Sequence, residues 1–301
     1  EMHNDVVRDG NRSFLLEGIQ QAYWVGQSGA IELSTPARYY VEADIPWTLG
    51  DGLEPALRRL IERHDMLRAV IHPSGTQEIL RDVAPYEIVI DDLRTLPEAE
   101  RAWRLDTLRT EMNEAEIPSA RWPQFDIRAT RSDDGLRLHM RFALWMMDGW
   151  SFRILLRELL ALSADPAAAL PPIEMSFADY VEAQNAARQG PRRQRAWNYW
   201  QPRLADFPGP PALPLTRRLG DGQRPCFRHV SRAFAAADWK KITDICARSR
   251  VTPSLLGCAA YADVLSRYAG SQHFAVTVLH SGRFQHLPRS ANAFGNFGTT
   301  I

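Results

Sequence analysis

Apolar and polar residues alternate along this chain with two periods, and the switches between them mark its elements. The segment GIQQAYWVGQ, Gly18 to Gln27, spaces aromatic and aliphatic residues at near-helical intervals and ends on Gly26, which predicts a short helix. YYVEADI then predicts a strand. GLEPALRRLIERHDMLRAVI places Leu53, Leu57, Leu60, Ile61, His64 and Leu67 on one face, the pattern of an amphipathic helix. YEIVIDDL predicts another strand, and AERAWRLDTLRTEMNEA a charged amphipathic helix. In LRLHMRFALWMMDGWSFRILLREL, Leu136, Leu138, Met140, Phe142, Leu144 and Met146 alternate strictly, the period of a half-buried strand. The turn after it holds Asp148, and Ser151 is placed to cap a helix that begins at Phe152 and presents Leu155, Leu156, Leu159 and Leu160 to a core.

The second half carries stronger punctuation. DPAAALPPIEMSF is a Pro/Ala-rich connection and the expected domain boundary. FADYVEAQNAARQGPRRQRAWNYWQPRL predicts two helices broken at Gly190-Pro191. FPGPPALPLTRR must be extended, because its prolines exclude helix. FRHVSRAFA predicts a strand before a helix from Asp238. TPSLLGCAAYADVLSRYAG predicts a helix capped by Thr252, with Pro253 in its first turn and Gly270 at its end. HFAVTVLHS predicts a last strand. Strands and helices mix in both halves, without a short internal repeat.

Composition narrows the classes of function. The 301 residues are 45% hydrophobic and 24% charged, a globular balance, and basic and acidic residues are equal at 36 each. Nothing in that charge balance points to nucleic acid or to an anionic membrane, and no apolar run reaches membrane-span length. The polar opening EMHNDVVRDG lacks the form of a signal peptide. Cys226, Cys246 and Cys258 are odd in number and widely spaced, which predicts buried free thiols in a reducing, cytoplasmic compartment. A GxSxG elbow, a P-loop, GxGxxG, HExxH and HxxxDG are all missing; four residues before Asp148 stands Leu144, and the nearest upstream histidine is His139. From the residues alone, Asp148 is either a turn former or a group with chemistry.

Several motifs in order nevertheless resemble one family, the heterocyclisation domains of nonribosomal peptide synthetases, a branch of the condensation domains. NRSFLLEGIQQAYWVGQ is similar to the family's opening FPLTxxQxAYxxGR, and RHDMLRAVIHPSGTQEIL, Arg63 to Leu80, to RHxML…DGxQ. FPGPPALPL resembles LPxxPxLPL, while MSFADYV, AWNYWQPRL and VTPSLLGCAAYADVLSRYAG resemble the helices around it. The resemblance runs from about Asn11 to the end. It implies an α/β fold of two chloramphenicol-acetyltransferase-like lobes in a V-shaped pseudo-dimer. The lobes would be residues 1–172 and 173–301, the second incomplete in this chain, with a tunnel between them.

The activity implied is acyl transfer between two substrates on phosphopantetheine arms of upstream and downstream carrier proteins, in natural-product synthesis of the siderophore type. The acyl group joins the amine of cysteine, serine or threonine, and the side chain then closes a thiazoline or oxazoline with loss of water. Carrier proteins and adjacent synthetase domains are the implied partners. The arm belongs to the carrier, and no metal, nucleotide or redox cofactor is implied.

The family's catalytic signature DxxxxDxxS falls on position 143, Asp148 and Ser151, but position 143 is Ala143. Condensation domains of the ordinary type carry HHxxxDG, and here the two histidine positions are Ala143 and Leu144. The FNR turn becomes Ser281-Gly282-Arg283, GDFT becomes GNFGT with Asn296 for the aspartate, and the opening motif ends in Gln27 where arginine is usual. The resemblance pairs Asp148 with Arg283 as a structural ion pair and gives Ser151 two readings, helix cap and motif serine. His139, Trp145, Met147, Gly149, Trp150, Asn296 and Thr299 are candidates to line the tunnel, with core packing an equal reading for Trp145 and Met147. An alanine at position 143 supplies neither proton acceptor nor charge, and lost acid–base help of that kind is worth roughly two to four orders of magnitude in rate. Two functions follow: a domain that forms amides with impaired ring closure, or a non-catalytic platform that docks carriers and neighbouring modules.

Overall fold

The computed structural model describes residues 11–28, 36–216, 230–283 and 288–301. Two compact units divide the chain: Glu1–Gly190 together with Leu279–Ile301, and Pro191–Val278. The units part elsewhere than at the expected boundary after residue 172.

In the first unit, β1 (Arg12–Leu15) leads into α1 (Gly18–Gly26), then β2 (Arg38–Ile45), α2 (Gly50–Arg63), β3 (Ala69–Ile71), β4 (Thr76–Ile79), β5 (Val89–Asp92) and α3 (Glu98–Glu114). The chain continues through β6 (Phe125–Arg131), β7 (Leu136–Ala143), α4 (Gly149–Ala164) and α5 (Phe177–Arg188). The ribbon β8 (Leu279–Ser281) and β9 (Gly298–Thr300) completes it. One sheet has the order β2-β7-β6-β5, antiparallel except for the parallel pair β5 and β6. A smaller antiparallel sheet has the order β1-β4-β3.

Alternation in β7 decides how the large sheet is covered. Leu138, Met140 and Phe142 join Leu53, Leu57 and Leu60 of α2 and Phe152, Leu155 and Leu159 of α4 in one buried cluster. α2 and α4 approach closely at Gly52, where a Cβ would lie 2.2 Å from the Ser163 carbonyl oxygen. The opposite face of β7 is polar. His139 is opposite Glu42 of β2 and Arg128 of β6 in the ladder, and α3 reaches this face through Arg109, which grips Glu42 with bonds of 2.6 and 2.8 Å.

Three expected elements are shorter in the structure, each for a local reason. The helix expected over residues 52–71 ends at Arg63. His64 is extended, the side chain of Arg68 donates to the Glu62 carbonyl at 2.7 Å, and the apolar run Ala69–Ile71 becomes a strand. β7 stops at Ala143: the Leu144 N–H still bonds the Ala37 carbonyl in the ladder register, but the Met146 N–H turns back to the Ala143 carbonyl. Trp145, Met146 and Met147 are consecutively buried, which a strand of period two could not achieve on one face. Of the last expected strand only Leu279–Ser281 is strand, and residues 230–235 of FRHVSRAFA are irregular; the start of that segment and Cys226 lie outside the described residues.

α5 explains why the units part after Gly190. Ser176 caps it with Asp179 in a reciprocal box, and Phe177, Ala178, Tyr180 and Val181 enter the same core as Phe14 and Phe297. The second unit holds α6 (Pro191–Trp200), α7 (Ala236–Ser249) and α8 (Pro253–Ala269), and the described part of the proline-rich stretch, residues 207–216, is neither helix nor strand. Pro191 opens α6, while α8 has the Thr252 cap at 3.2 Å from the Leu255 N–H and Gly270 at φ +61°. Cys246 is buried there, but Cys258 is exposed, so burial holds for one of the two described cysteines. Among the described residues no helix is long and apolar enough to cross a membrane.

Candidate functional site

The turn between β7 and α4 is built around Asp148. Its backbone is extended, its carbonyl accepts the Phe152 N–H at 3.0 Å, and its Oδ1 accepts the Ser151 N–H at 2.8 Å. Asp148 is therefore the N-cap of α4, which corrects the expectation that Ser151 caps a helix starting at Phe152. The short carboxylate is preferred because its oxygen reaches back to the third residue of the helix and carries charge toward the positive helix end.

Ser151 lies inside the first turn and is fully buried. Its Oγ donates to the Gly295 carbonyl at 2.8 Å and accepts from the Gly295 N–H at 3.1 Å and from Arg283 Nη2 at 3.0 Å. A hydroxyl has one proton and two lone pairs, and all three are engaged. The serine thus stitches α4 to the segment before β9.

Arg283 brings the third part of the constellation. Its Nη2 lies 3.3 Å from Asp148 Oδ1 and 3.4 Å from Oδ2, while Nη1 donates to the Ser290 and Ala293 carbonyls at 2.6 Å each. The guanidinium stacks over the Phe297 ring at 3.8 Å and is wholly buried. Its Nε has no acceptor among the described residues. Burial pushes the guanidinium's pKa down and the Asp148 charge opposes that shift. Asp148 Oδ2 also accepts the Phe297 N–H at 3.3 Å, and the Asp148 N–H donates to the Gly295 carbonyl at 3.2 Å.

The remaining candidates divide. Asn296 belongs to this cluster: its Nδ2 donates to the Leu144 carbonyl and its Oδ1 accepts the Gly298 N–H at 2.8 Å. Gly149 and Trp150 start α4; a Cβ on Gly149 would meet nothing within 4 Å, and Trp150 is exposed with its Nε1 donating to the Ala291 carbonyl at 3.1 Å. Thr299 is half-buried in β9, opposite His280. Ala143 is opposite Arg38 in the ladder and half-buried.

Trp145 and Met147 are core residues, 1% and 0% exposed, and the Trp145 indole donates to Gln124 Oε1 at 3.1 Å. His139 is equally closed off. Its Nδ1 lies 2.9 Å from the Tyr40 hydroxyl and its Nε2 3.0 Å from Thr130 Oγ1, with Glu42 at 3.8 Å. Burial pushes the imidazole pKa down, while the Arg109 bonds hold the Glu42 carboxyl at about 2. These three residues therefore do not line open space beside position 143; they are satisfied inside the fold.

Sequence reasoning missed the amides that hold the turn. Gln20 Nε2 donates to the Trp145 carbonyl at 2.8 Å and lies 2.9 Å from Gln77 Oε1. Gln77 Nε2 donates to the Leu15 carbonyl at 2.9 Å. Gln20 lies in GIQQAYW and Gln77 in SGTQ, each set in apolar surroundings, and both are 0% exposed. An uncharged polar residue predicted to face a core was the available signal. Among the described residues, no group of three or more histidine, cysteine, aspartate or glutamate side chains could hold a metal.

Comparison with known proteins places this geometry. The family profile described as Condensation domain matches residues 50–301. Phenyloxazoline synthase MbtB of Mycolicibacterium paratuberculosis is 30% identical over 298 residues, covering 96% of this chain and 24% of that protein. Pyochelin synthetase PchF of Pseudomonas aeruginosa is 28% identical over 289 residues, covering 95% of this chain and 16% of that protein. The crystal structure of the EpoB cyclization-docking bidomain from Sorangium cellulosum, a nonribosomal peptide synthetase fragment, superposes with a TM-score of 0.87 at 30% identity, over 96% of this chain and 59% of that one. The chain thus spans a quarter or less of the two synthetases and under two thirds of the bidomain.

Proposed function

Because the chain belongs to the condensation-domain family of nonribosomal peptide synthetases, in its cyclisation-type branch, we propose that it joins a carrier-bound acyl group to the amine of a carrier-bound cysteine, serine or threonine and closes the ring poorly. Phosphopantetheine arms of upstream and downstream carrier proteins would present both substrates, and adjacent synthetase domains would be its neighbours. The observation that carries this reading is the intact Asp148–Ser151–Arg283 constellation next to an alanine at position 143. The turn is held in shape, so two substrates brought to it would still gain from proximity, worth several kcal/mol.

Amide formation between a thioester and an amine needs little more than alignment: the amine nitrogen bonds to the carbonyl carbon, the C–S bond breaks, and the departing thiolate takes the proton that the ammonium loses. Ring closure needs further proton transfers, onto the departing oxygen and off the attacking side chain. Ala143 supplies no acid or base for them, Ser151 has no free proton or lone pair, and Asp148 is committed to Arg283 and two backbone N–H groups. Ring closure therefore suffers more than condensation.

That same commitment of Asp148 and Ser151 favours a second reading, a platform that binds carriers without chemistry. Reconstitution with an acyl-loaded donor carrier and a cysteinyl-loaded acceptor carrier, read by intact-protein mass, separates the readings. The expected product is a linear amide. A product lighter by one water would overturn the claim of impaired cyclisation, and carrier binding without transfer would establish the platform. Ala143→Asp is expected to raise the share of cyclised product.

A further inference from the structure

Two consecutive carbonyls in the segment Leu144–Asp148 are held by side-chain amides from opposite ends of the chain. The Leu144 carbonyl receives Asn296 Nδ2 and the Trp145 carbonyl receives Gln20 Nε2 at 2.8 Å. Each amide is oriented from its other end. Asn296 Oδ1 takes the Gly298 N–H at 2.8 Å, and Gln20 Oε1 takes the Glu17 N–H and Gln77 Nε2 at 2.9 Å each. With its oxygen fixed on a donor, Asn296 turns its nitrogen to the Leu144 carbonyl, and Gln20 Nε2 is shared between the Trp145 carbonyl and Gln77 Oε1. Both side chains are buried, so neither bond competes with water.

We infer that Asn296 and Gln20 are positioning residues: together they set the conformation of Leu144–Asp148 and thereby the place of the aspartate at its end. This rests on the reading of that segment as part of an acyl-transfer site. Its side chains are held by the core and by Arg283, but its backbone has few hydrogen bonds. It is neither strand nor helix, and between the end of β7 and the start of α4 its other backbone anchors are the Leu144 N–H to Ala37, the Met146 N–H to Ala143 and the Asp148 N–H to Gly295. Two of its anchors, through Asn296 and Gly295, come from the GNFGT stretch, and one from α1. A displacement of either support would move Asp148 relative to position 143.

The residue type at 296 is diagnostic. A carboxylate there would still accept the Gly298 N–H, but it would present a negative oxygen to the Leu144 carbonyl oxygen. An amide is needed for a bond that donates. Asparagine at this position is therefore matched to the Leu144 carbonyl, at the start of the segment that follows Ala143.

The test uses Asn296→Asp, Asn296→Ala and Gln20→Met in the protein, with two readouts. Hydrogen exchange reports on the amides of 144–151, and single-turnover amide formation from an acyl-loaded donor carrier is measured against the concentration of a cysteinyl-loaded acceptor carrier. Exchange in 144–151 is expected to accelerate in each variant while the rest of the first unit keeps its protection. kcat is expected to fall by about 10- to 100-fold with the half-saturating carrier concentration within about twofold, the signature of misplacement and not of lost binding. In Asn296→Asp, acidification should restore local protection, taken relative to the intrinsic exchange rate at each pH, as the carboxyl gains a proton to donate, whereas Asn296→Ala should show no such recovery. Unchanged exchange in 144–151 overturns the inference, as does a uniform loss of protection with kcat intact. Should the parent protein form no amide, the acyl-transfer reading fails by itself, and the exchange data alone decide whether these amides position the segment.

Discussion

Replacing Asp148 by asparagine tests whether this aspartate is chiefly structural. The carboxylate sits 3.3 Å from a wholly buried guanidinium, a gross attraction of about 5 kcal/mol at an effective dielectric constant of about 20. Desolvation offsets much of that while the pair is intact, but removing one partner leaves the other charge uncompensated, at about 3–5 kcal/mol. Three features of the site adjust the figure. Asparagine keeps the Oδ1 cap on the Ser151 N–H, worth about 1 kcal/mol. Arg283 keeps the Ser290 and Ala293 carbonyls and Ser151 Oγ. The new NH₂, however, must face Arg283 Nη2 or the Phe297 N–H, donor against donor. The expected loss is about 3 kcal/mol, a fall of roughly 6–12 °C in the apparent melting temperature of a first unit of this size. Differential scanning calorimetry measures it, with Asp148→Ala expected to lose about 1 kcal/mol more through the cap. A melting temperature for Asp148→Asn within about 1 °C of the parent would refute the structural role.

Ser151→Ala should cost about 1–3 kcal/mol in chemical denaturation, because it strands the buried Gly295 N–H and one Arg283 N–H. Gly295→Ala should cost a similar 1–3 kcal/mol by overpacking, since its Cβ would lie 2.3 Å from Phe177 Cδ2 and Phe177 is wedged between Tyr180 and Phe297; Gly149→Ala, with open space around it, is the control that should leave the midpoint unchanged. Stability should fall on acidification. Unfolded, the Glu42 carboxyl returns from about 2 to its ordinary value near 4.5, so its contribution is complete above that value and is lost as pH drops toward about 2. His139 acts in the same direction from about pH 6.5 downward, because the unfolded chain takes up a proton that the buried imidazole resists. Melting temperatures measured from pH 8 to 3 should therefore decline, and Glu42→Gln should flatten the lowest part of that curve.

What the sequence by itself determined were the features that local chemistry dictates. Hydrophobic period located α2, α3, β2 and β7, and proline and glycine placed the break at Gly190-Pro191 and both ends of α8. Motif order identified the family, because several short patterns in register are improbable together even where each is weak. The pairing of Asp148 with Arg283 was expected from that resemblance, and the two stand in contact.

What only the tertiary structure decided depends on groups far apart in the chain. β7 ends at Ala143, although apolar alternation runs on to Met146, because the Met146 N–H turns back to the Ala143 carbonyl and the turn buries Trp145, Met146 and Met147 together. β4 shows no period, since its burial comes from its partner strands, whereas β6 carries a short alternation in Phe125, Ile127 and Ala129. Asp148 and not Ser151 caps α4 because Gly295 and Arg283 together claim the serine's three hydrogen-bonding positions. The return of Leu279–Ile301 to the first unit, and with it the placement of Gln20 and Asn296 against adjacent carbonyls, follows from long-range packing. No local pattern dictates a hydrogen bond between partners more than a hundred residues apart; only the folded core, by removing water, makes each such bond obligatory.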